Sequence, residues 1–156
     1  MDLINAQRTA NELPPLMVAD ELTLAARRHS LDMATNGFTG HIGSDGTTAC
    51  QRIEQAGYEW VSCGEIIAWG FAGDSQWVVD WWMNSPVHRA MILSTYFDDF
   101  GCGYVREPNS TWVTYWTVNF GRRAESRSTS ADSPMPCVPT RVSTFGAPSS
   151  VEWCVP

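Results

Sequence analysis

An α+β layered domain is the fold class that these 156 residues predict, on three observations. Apolar residues recur at helical spacing through the N-terminal part, the period switches to two near Phe100, and the elements run helices, strand, helices, hairpin rather than as an alternating strand–helix repeat. The length suits one domain with a small appendage and is enough to close a hydrophobic core.

Residues 2–10 and 20–36 read as helices. In the second, Leu22, Ala25, Ala26, His29 and Met33 recur at helical spacing, Asp20 can cap the start and Gly37 the end, and the link ELPPL between the two is a proline brake. The Gly-rich loop GHIGSDG leads to a short helix from Thr47 to Ala56, stopped by Gly57. EIIAW (65–69) is an apolar, β-prone run suited to a buried strand. Asp74 or Ser75 starts a helix carrying Trp77, Val78, Trp81 and Trp82, and Ser85-Pro86, a cap followed by proline at the first helical position, starts the next. From Phe100 two alternating runs separated by EPNST form a β-hairpin. In its second strand Trp112, Thr114, Trp116, Val118 and Phe120 share one face and Val113, Tyr115, Thr117 and Asn119 the other, so the strand is expected inside a sheet covered on both sides. RRAESRSTSADSP is linker-like, and the stretch from Cys137 to Cys154 is too short for a core of its own. The expected organisation is a domain at 2–122, a Ser/Arg-rich linker at 123–136 and a stapled tail at 137–156.

Composition excludes several classes. The net charge is −7 and all 10 basic residues are Arg without a basic cluster, which argues against nucleic acid as a partner. No apolar run approaches the roughly 20 residues that a membrane span needs, so a soluble globule is expected. The 8 Trp serve either a large-residue core or an aromatic groove for lipid, sugar or peptide. The 5 Cys (50, 63, 102, 137 and 154) show no metal-cluster spacing and suit disulfides in an oxidising compartment. A Cys137–Cys154 bridge would close a loop worth about 3 kcal/mol. Cys63 and Cys102, in or beside sheet strands, form the second expected pair, with Cys50–Cys63 as its competitor. MDLINAQR enters a helical pattern directly, so any secretion signal is expected outside this stretch.

Each of the 3 His can be weighed. His29 lies on the apolar stripe of a helix and reads as a core histidine. His41 follows Gly40 in a loop, where it adds nothing to helix packing, and His88 sits in the first turn of the helix after Ser85-Pro86. Glu65 enters a buried run, which is costly unless a cation, a metal or a donor meets it. Asn109-Ser110-Thr111 is a glycosylation sequon in the hairpin turn. No G-x-S-x-G elbow points to a serine nucleophile.

The ordered segments HSLDMATNGFTGHIGSDGTTACQRIEQAGY, GEIIAWG, WWMNSPVHRAMIL, FDDFGCGYV and YWTVNFG resemble the successive motifs of the CAP superfamily (cysteine-rich secretory proteins, antigen 5 and pathogenesis-related group 1 proteins), and are most similar to its compact bacterial branch. The resemblance runs from Leu3 to Gly121 and implies an α-β-α sandwich with a central antiparallel sheet between helical layers. It implies a cleft of two histidines and two acids, in some members holding a divalent metal. Position by position the histidines match His41 and His88 and the first acid matches Glu65. The second acid falls at or near Ser85, and Ile66 replaces the usual Asn after Glu65.

One carboxylate and two imidazoles leave three readings. They form a hydrogen-bonded polar core, or they hold zinc or another divalent metal through His41 and His88, or Glu65 acts as catalytic base in a zinc-dependent peptidase or esterase. Asp80 is a candidate substitute for the missing acid. The favoured expectation is an extracellular or periplasmic binding module for a lipid- or sterol-like apolar molecule, or for an extracellular protein, with the hydrolase as the alternative.

Overall fold

The computed structural model describes residues 2–124 and 152–154. In chain order the elements are α1 (Asp2–Ala10), β1 (Met17–Val18), α2 (Asp20–Asn36), α3 (Ala49–Gln55), β2 (Trp60–Trp69), a single 3₁₀ turn (Phe71–Gly73), α4 (Ser75–Asn84), α5 (Pro86–Ile92), β3 (Asp99–Arg106), β4 (Thr114–Arg123) and β5 (Glu152–Cys154). The strands form one sheet in the order β1-β3-β4-β2-β5. Every pairing is antiparallel, as expected, except the short parallel edge pair β1–β3.

Helices cover both faces. Asn119 and Thr117 of β4 turn toward α2, where the Ser30 hydroxyl meets that of Thr117 at 2.9 Å. On the opposite face Val118 and Phe120 pack with Ile4 of α1, Val78 and Trp82 of α4 and Met91 and Ile92 of α5. Bulk on both faces of β4 is therefore answered by a helical layer on each side, and the α-β-α sandwich holds. Glycine decides how closely one layer sits: a Cβ on Gly101 would lie 2.1 Å from Thr23 N, and one on Gly103 would lie 2.3 Å from the carbonyl of Ala26. The backbone of α2 rests directly on β3 because neither position has a side chain. Gly37, at φ 69°, then ends α2 with its N–H on Met33 O.

Capping differs in detail from the sequence expectation. Ala19 is the N-cap of α2 and Asp20 lies in its first turn. Thr48 and Gln51 form a reciprocal capping box on α3, and the Asp74 carboxylate accepts from Gln76 N and Trp77 N at the start of α4. Two strands escaped the sequence reading: two-residue β1, and β5, by which part of the expected tail joins the sheet in antiparallel register with Cys63–Glu65 of β2.

The cysteines require one correction. Cys63 bonds Cys50, not Cys102. Strand order explains it, because β4 lies between β2 and β3 and places them two strand spacings, about 9–10 Å, apart, beyond disulfide reach. Their environments also differ, since Cys63 packs with Ile53 and Tyr58 while Cys102 borders the layer of α1 and α4. The expected Cys137–Cys154 bridge lies outside the described residues, as does the 125–151 stretch that contains most of the expected linker.

Candidate functional site

Glu65 lies in the middle of β2 with no solvent exposure, and four elements supply its partners. The Cys50–Cys63 bridge ties α3 to β2 two positions before Arg52 on one element and Glu65 on the other, so the bridge sets the spacing of this ion pair. Arg52 Nη2 stands 3.0 Å from Oε1 and 2.9 Å from Oε2. The same guanidinium donates to the carbonyls of His41 (2.9 Å) and Thr47 (2.7 Å), fastening the loop that carries His41. His41 Nδ1 lies 2.9 Å from Oε1. Asn119, opposite Glu65 in the β2–β4 register, satisfies its surroundings with its amide nitrogen on Oε2 at 3.0 Å and its oxygen on Ala26 N at 3.0 Å. His29 Nε2 donates to Gly40 O at 2.8 Å and sits 3.7 Å from Oε1.

This arrangement fixes the chemistry of each group. A carboxylate can only accept, so His41 carries a proton on Nδ1, while its Nε2 is buried and has no partner. Both oxygens of Glu65 already hold charge-assisted bonds and have little capacity left for a metal or a water. Burial alone would raise the Glu65 carboxyl, but the His41 hydrogen bond, with His29 and Arg52 behind it, holds it below the ordinary value. Burial lowers His29, which is therefore neutral at pH 7.

The second half of the cleft is built on α5. Ser85 makes no cap bond to the helix; its hydroxyl instead lies 2.7 Å from His88 Nδ1. His88 is fully buried with Nε2 unpartnered, and its ring lies 5.1 Å from that of Trp81. Desolvation, assisted by the nearby His41, pushes it down to about 4. The structure thus joins His41 to Glu65 and Ser85 to His88, with the two imidazoles within electrostatic reach of each other. Asp80 does not replace the missing acid: it is exposed on α4 and bound to Gln76.

Arg52, Asn119 and His29 are the partners that sequence reasoning missed. Asn119 carried a signal, being an amide in the middle of a strand buried on both faces. His29 is a core histidine as expected, but one that borders the site.

As donors, the residues fall short of a catalytic zinc centre. Two imidazole nitrogens are free, Glu65 is saturated, and among the described residues no group of three His, Cys, Asp or Glu is placed to hold a metal. His41 Nε2 and His88 Nε2 are the atoms that a divalent cation would meet there.

The cysteine-rich secretory protein (CAP) family model matches residues 1–120. The chain belongs to the CAP family. YkwD of Bacillus subtilis is 34% identical over 113 residues, covering 72% of this chain and 43% of that protein. The membrane protein YlbC of the same organism is 28% identical over 123 residues, covering 79% and 33%. The chain thus spans less than half the length of either relative. Among solved structures, an outer surface protein of Borrelia burgdorferi aligns with a TM-score of 0.72 at 27% identity, covering 79% of this chain and 89% of that one. An extracellular SCP-domain protein of Bacillus anthracis aligns at 0.69 and 28% identity, covering 78% and 38%.

The buried imidazoles make the stability of this CAP domain pH-dependent. His88 titrates at about 4 when folded against an ordinary 6.5, so on acidification the unfolded chain takes the proton first. Stability is full above pH 6.5 and falls as the pH drops toward about 4, with His29 contributing in the same direction. With allowance for solvent screening the His88 share is on the order of 2 kcal/mol. Urea unfolding across this range checks the slope, and His88→Gln is expected to flatten it; a wild-type stability independent of pH over this window contradicts the assignment.

Proposed function

We propose that this CAP chain is an extracellular binding module for an amphiphilic, lipid- or sterol-like molecule, held without chemical change. One observation carries the reading: Trp116, whose indole N–H is buried without a partner, lines an apolar groove of about 370 Å³ between α1, α4 and the sheet. Leu3, Val78, Val79, Trp82 and Tyr104 supply its apolar and aromatic wall, and Arg27 stands among the lining residues. An unpaired buried donor is unfavourable by itself. A ligand with an apolar body and an oxygen acceptor relieves it. Trp82, Tyr104 and Trp116 are the aromatic side chains that this reading assigns to the ligand.

The extracellular setting draws its support from the outer-surface and extracellular relatives and from the disulfide. No helix among the described residues is long and apolar enough to cross a membrane. The hydrolase alternative lacks support from the donor set: it needs a third metal ligand and a free base, and Glu65 is occupied by Arg52, His41 and Asn119.

Calorimetric titration with palmitate and, separately, with cholesterol tests the proposal. Wild type is expected to bind one of them in a single site. Trp116→Phe, which keeps a ring but removes the N–H, is expected to weaken binding about 5- to 10-fold, and Leu3→Trp, which adds bulk to the groove wall, to abolish it. Binding of neither ligand, or binding unaffected by both substitutions, overturns the reading.

A further inference from the structure

A polar cleft of about 160 Å³ lies between α2, the loop at 44–47 and α3. Two of the side chains that line it are buried and have a nitrogen left over. His29, fully buried, donates from Nε2 to Gly40 O, and its Nδ1 has no partner among the described residues. Arg52, only 8% exposed, commits Nη1 to Thr47 O and Nη2 to His41 O and Glu65, while its Nε–H is buried and unmet. The first of these atoms accepts in a neutral ring and the second donates. Each is unfavourable to bury without a partner.

Opposite charges line the same cleft without pairing. Arg28 stands one helical turn before Asp32, but Asp32 is engaged elsewhere: Oδ1 accepts from the Ser44 hydroxyl at 2.6 Å and from Asn36 at 2.7 Å, and Oδ2 from Ser44 N at 2.9 Å. Asp45 Oδ1 accepts from Thr47 N at 2.9 Å and from its hydroxyl at 2.6 Å, and Oδ2 has no partner among the described residues. The absent side chain of Gly43 lets these carboxylates approach each other, since a Cβ there would lie 2.8 Å from Asp45 Oδ1 and 3.3 Å from Asp32 Oδ2. The arginine ion pairs among the described residues involve Arg52, Arg122 and Arg123, so Arg28 keeps an uncommitted guanidinium and the two carboxylates meet no arginine.

This combination selects the ligand. A simple anion is repelled by Asp32 and Asp45, a simple cation by Arg28, and a neutral polyol leaves both charges unanswered. A zwitterion answers both, because an ammonium only donates and a carboxylate only accepts. A water occupies about 30 Å³ of liquid, so the cleft has room for about five. That is the bulk of a small amino acid rather than of a peptide.

We infer that the cleft between α2 and α3 binds a small free α-amino acid as its zwitterion, with the ammonium on Asp45 and His29 Nδ1 and the carboxylate on Arg28 and Arg52 Nε. The inference stands independently of the amphiphile reading, because the cleft and the groove share no lining residue among those described.

Calorimetric titration of the full chain with L-alanine, alaninamide and N-acetylalanine is the test. Alaninamide lacks the carboxylate and N-acetylalanine lacks the ammonium. Alanine is expected to bind at one site, and each analogue about 10-fold more weakly. Arg28→Gln and Asp45→Asn change exposed residues, and asparagine keeps an acceptor for Thr47. Each should weaken alanine binding about 10-fold, while thermal unfolding verifies that the variants are folded. In nitrogen NMR of labelled histidine, the His29 Nδ1 signal should move on adding alanine toward that of a hydrogen-bonded nitrogen. Four results overturn the inference: no alanine binding and an unmoved His29 signal, which mark a cleft that holds water only; alaninamide as tight as alanine, which marks an acidic surface for any amine; N-acetylalanine as tight as alanine, which marks an arginine that takes any carboxylate; and alanine binding that neither substitution changes, which places it elsewhere.

Discussion

Arg52→Met is expected to lower the unfolding free energy by about 3–5 kcal/mol, because it leaves the Glu65 carboxylate buried without its permanent counter-charge. Glu65 has no solvent exposure, and the same guanidinium holds the carbonyls of His41 and Thr47. Loss of the arginine therefore releases the His41 loop along with the charge. The double variant Arg52→Met/Glu65→Leu removes both charges and is expected to recover much of the loss. Urea denaturation of the wild type, both single variants and the double variant gives the coupling directly. A single Arg52→Met variant as stable as wild type contradicts the structural role assigned to the pair.

Gly103→Ala is expected to be similarly severe, at about 3 kcal/mol or more. The added methyl would sit 2.3 Å from the carbonyl carbon and oxygen of Ala26 and 2.5 Å from Arg27 N. These are backbone atoms within α2, so no rotamer change relieves the clash and the helix must lift from β3. That movement also displaces His29 and the Ala26 N–H that orients Asn119. Thermal unfolding checks it, and a midpoint unchanged from wild type would show that α2 does not lie on β3 as described.

Much of this architecture was legible because it rests on periodicity. The stripe of Leu22, Ala25, Ala26, His29 and Met33, and the doubly apolar run of β4, follow directly from which faces must leave water. His41 stood out as a loop histidine with no packing task and Glu65 as a carboxylate in a buried run, whereas the grouping of His41, Glu65 and His88 came from the family resemblance. What escaped depends on order in space. Pairing Cys63 with Cys50 rather than Cys102 follows from β4 lying between β2 and β3, which spacing along the chain does not report. Arg52 reads as one more polar residue on a short helix until the bridge at Cys50 turns it onto Glu65. Strand β5 is too short to show a period and exists through its pairing with β2. The consequence is functional, because the carboxylate for which the sequence left a metal, a cation or a hydrogen-bond donor open as partner is engaged by three side chains in the fold.

The central claim is that this CAP domain binds an amphiphile and leaves it unchanged, with the His–Glu cluster serving the fold. The most direct measurement incubates the protein with palmitate, cholesterol, a palmitate ester and zinc together, then identifies by mass spectrometry what is bound and what is in solution. The expected result is palmitate or cholesterol bound at one per chain through the Trp116 groove, with the ester recovered intact. Ester hydrolysis that requires zinc and is lost in both His41→Ala and His88→Ala would contradict it.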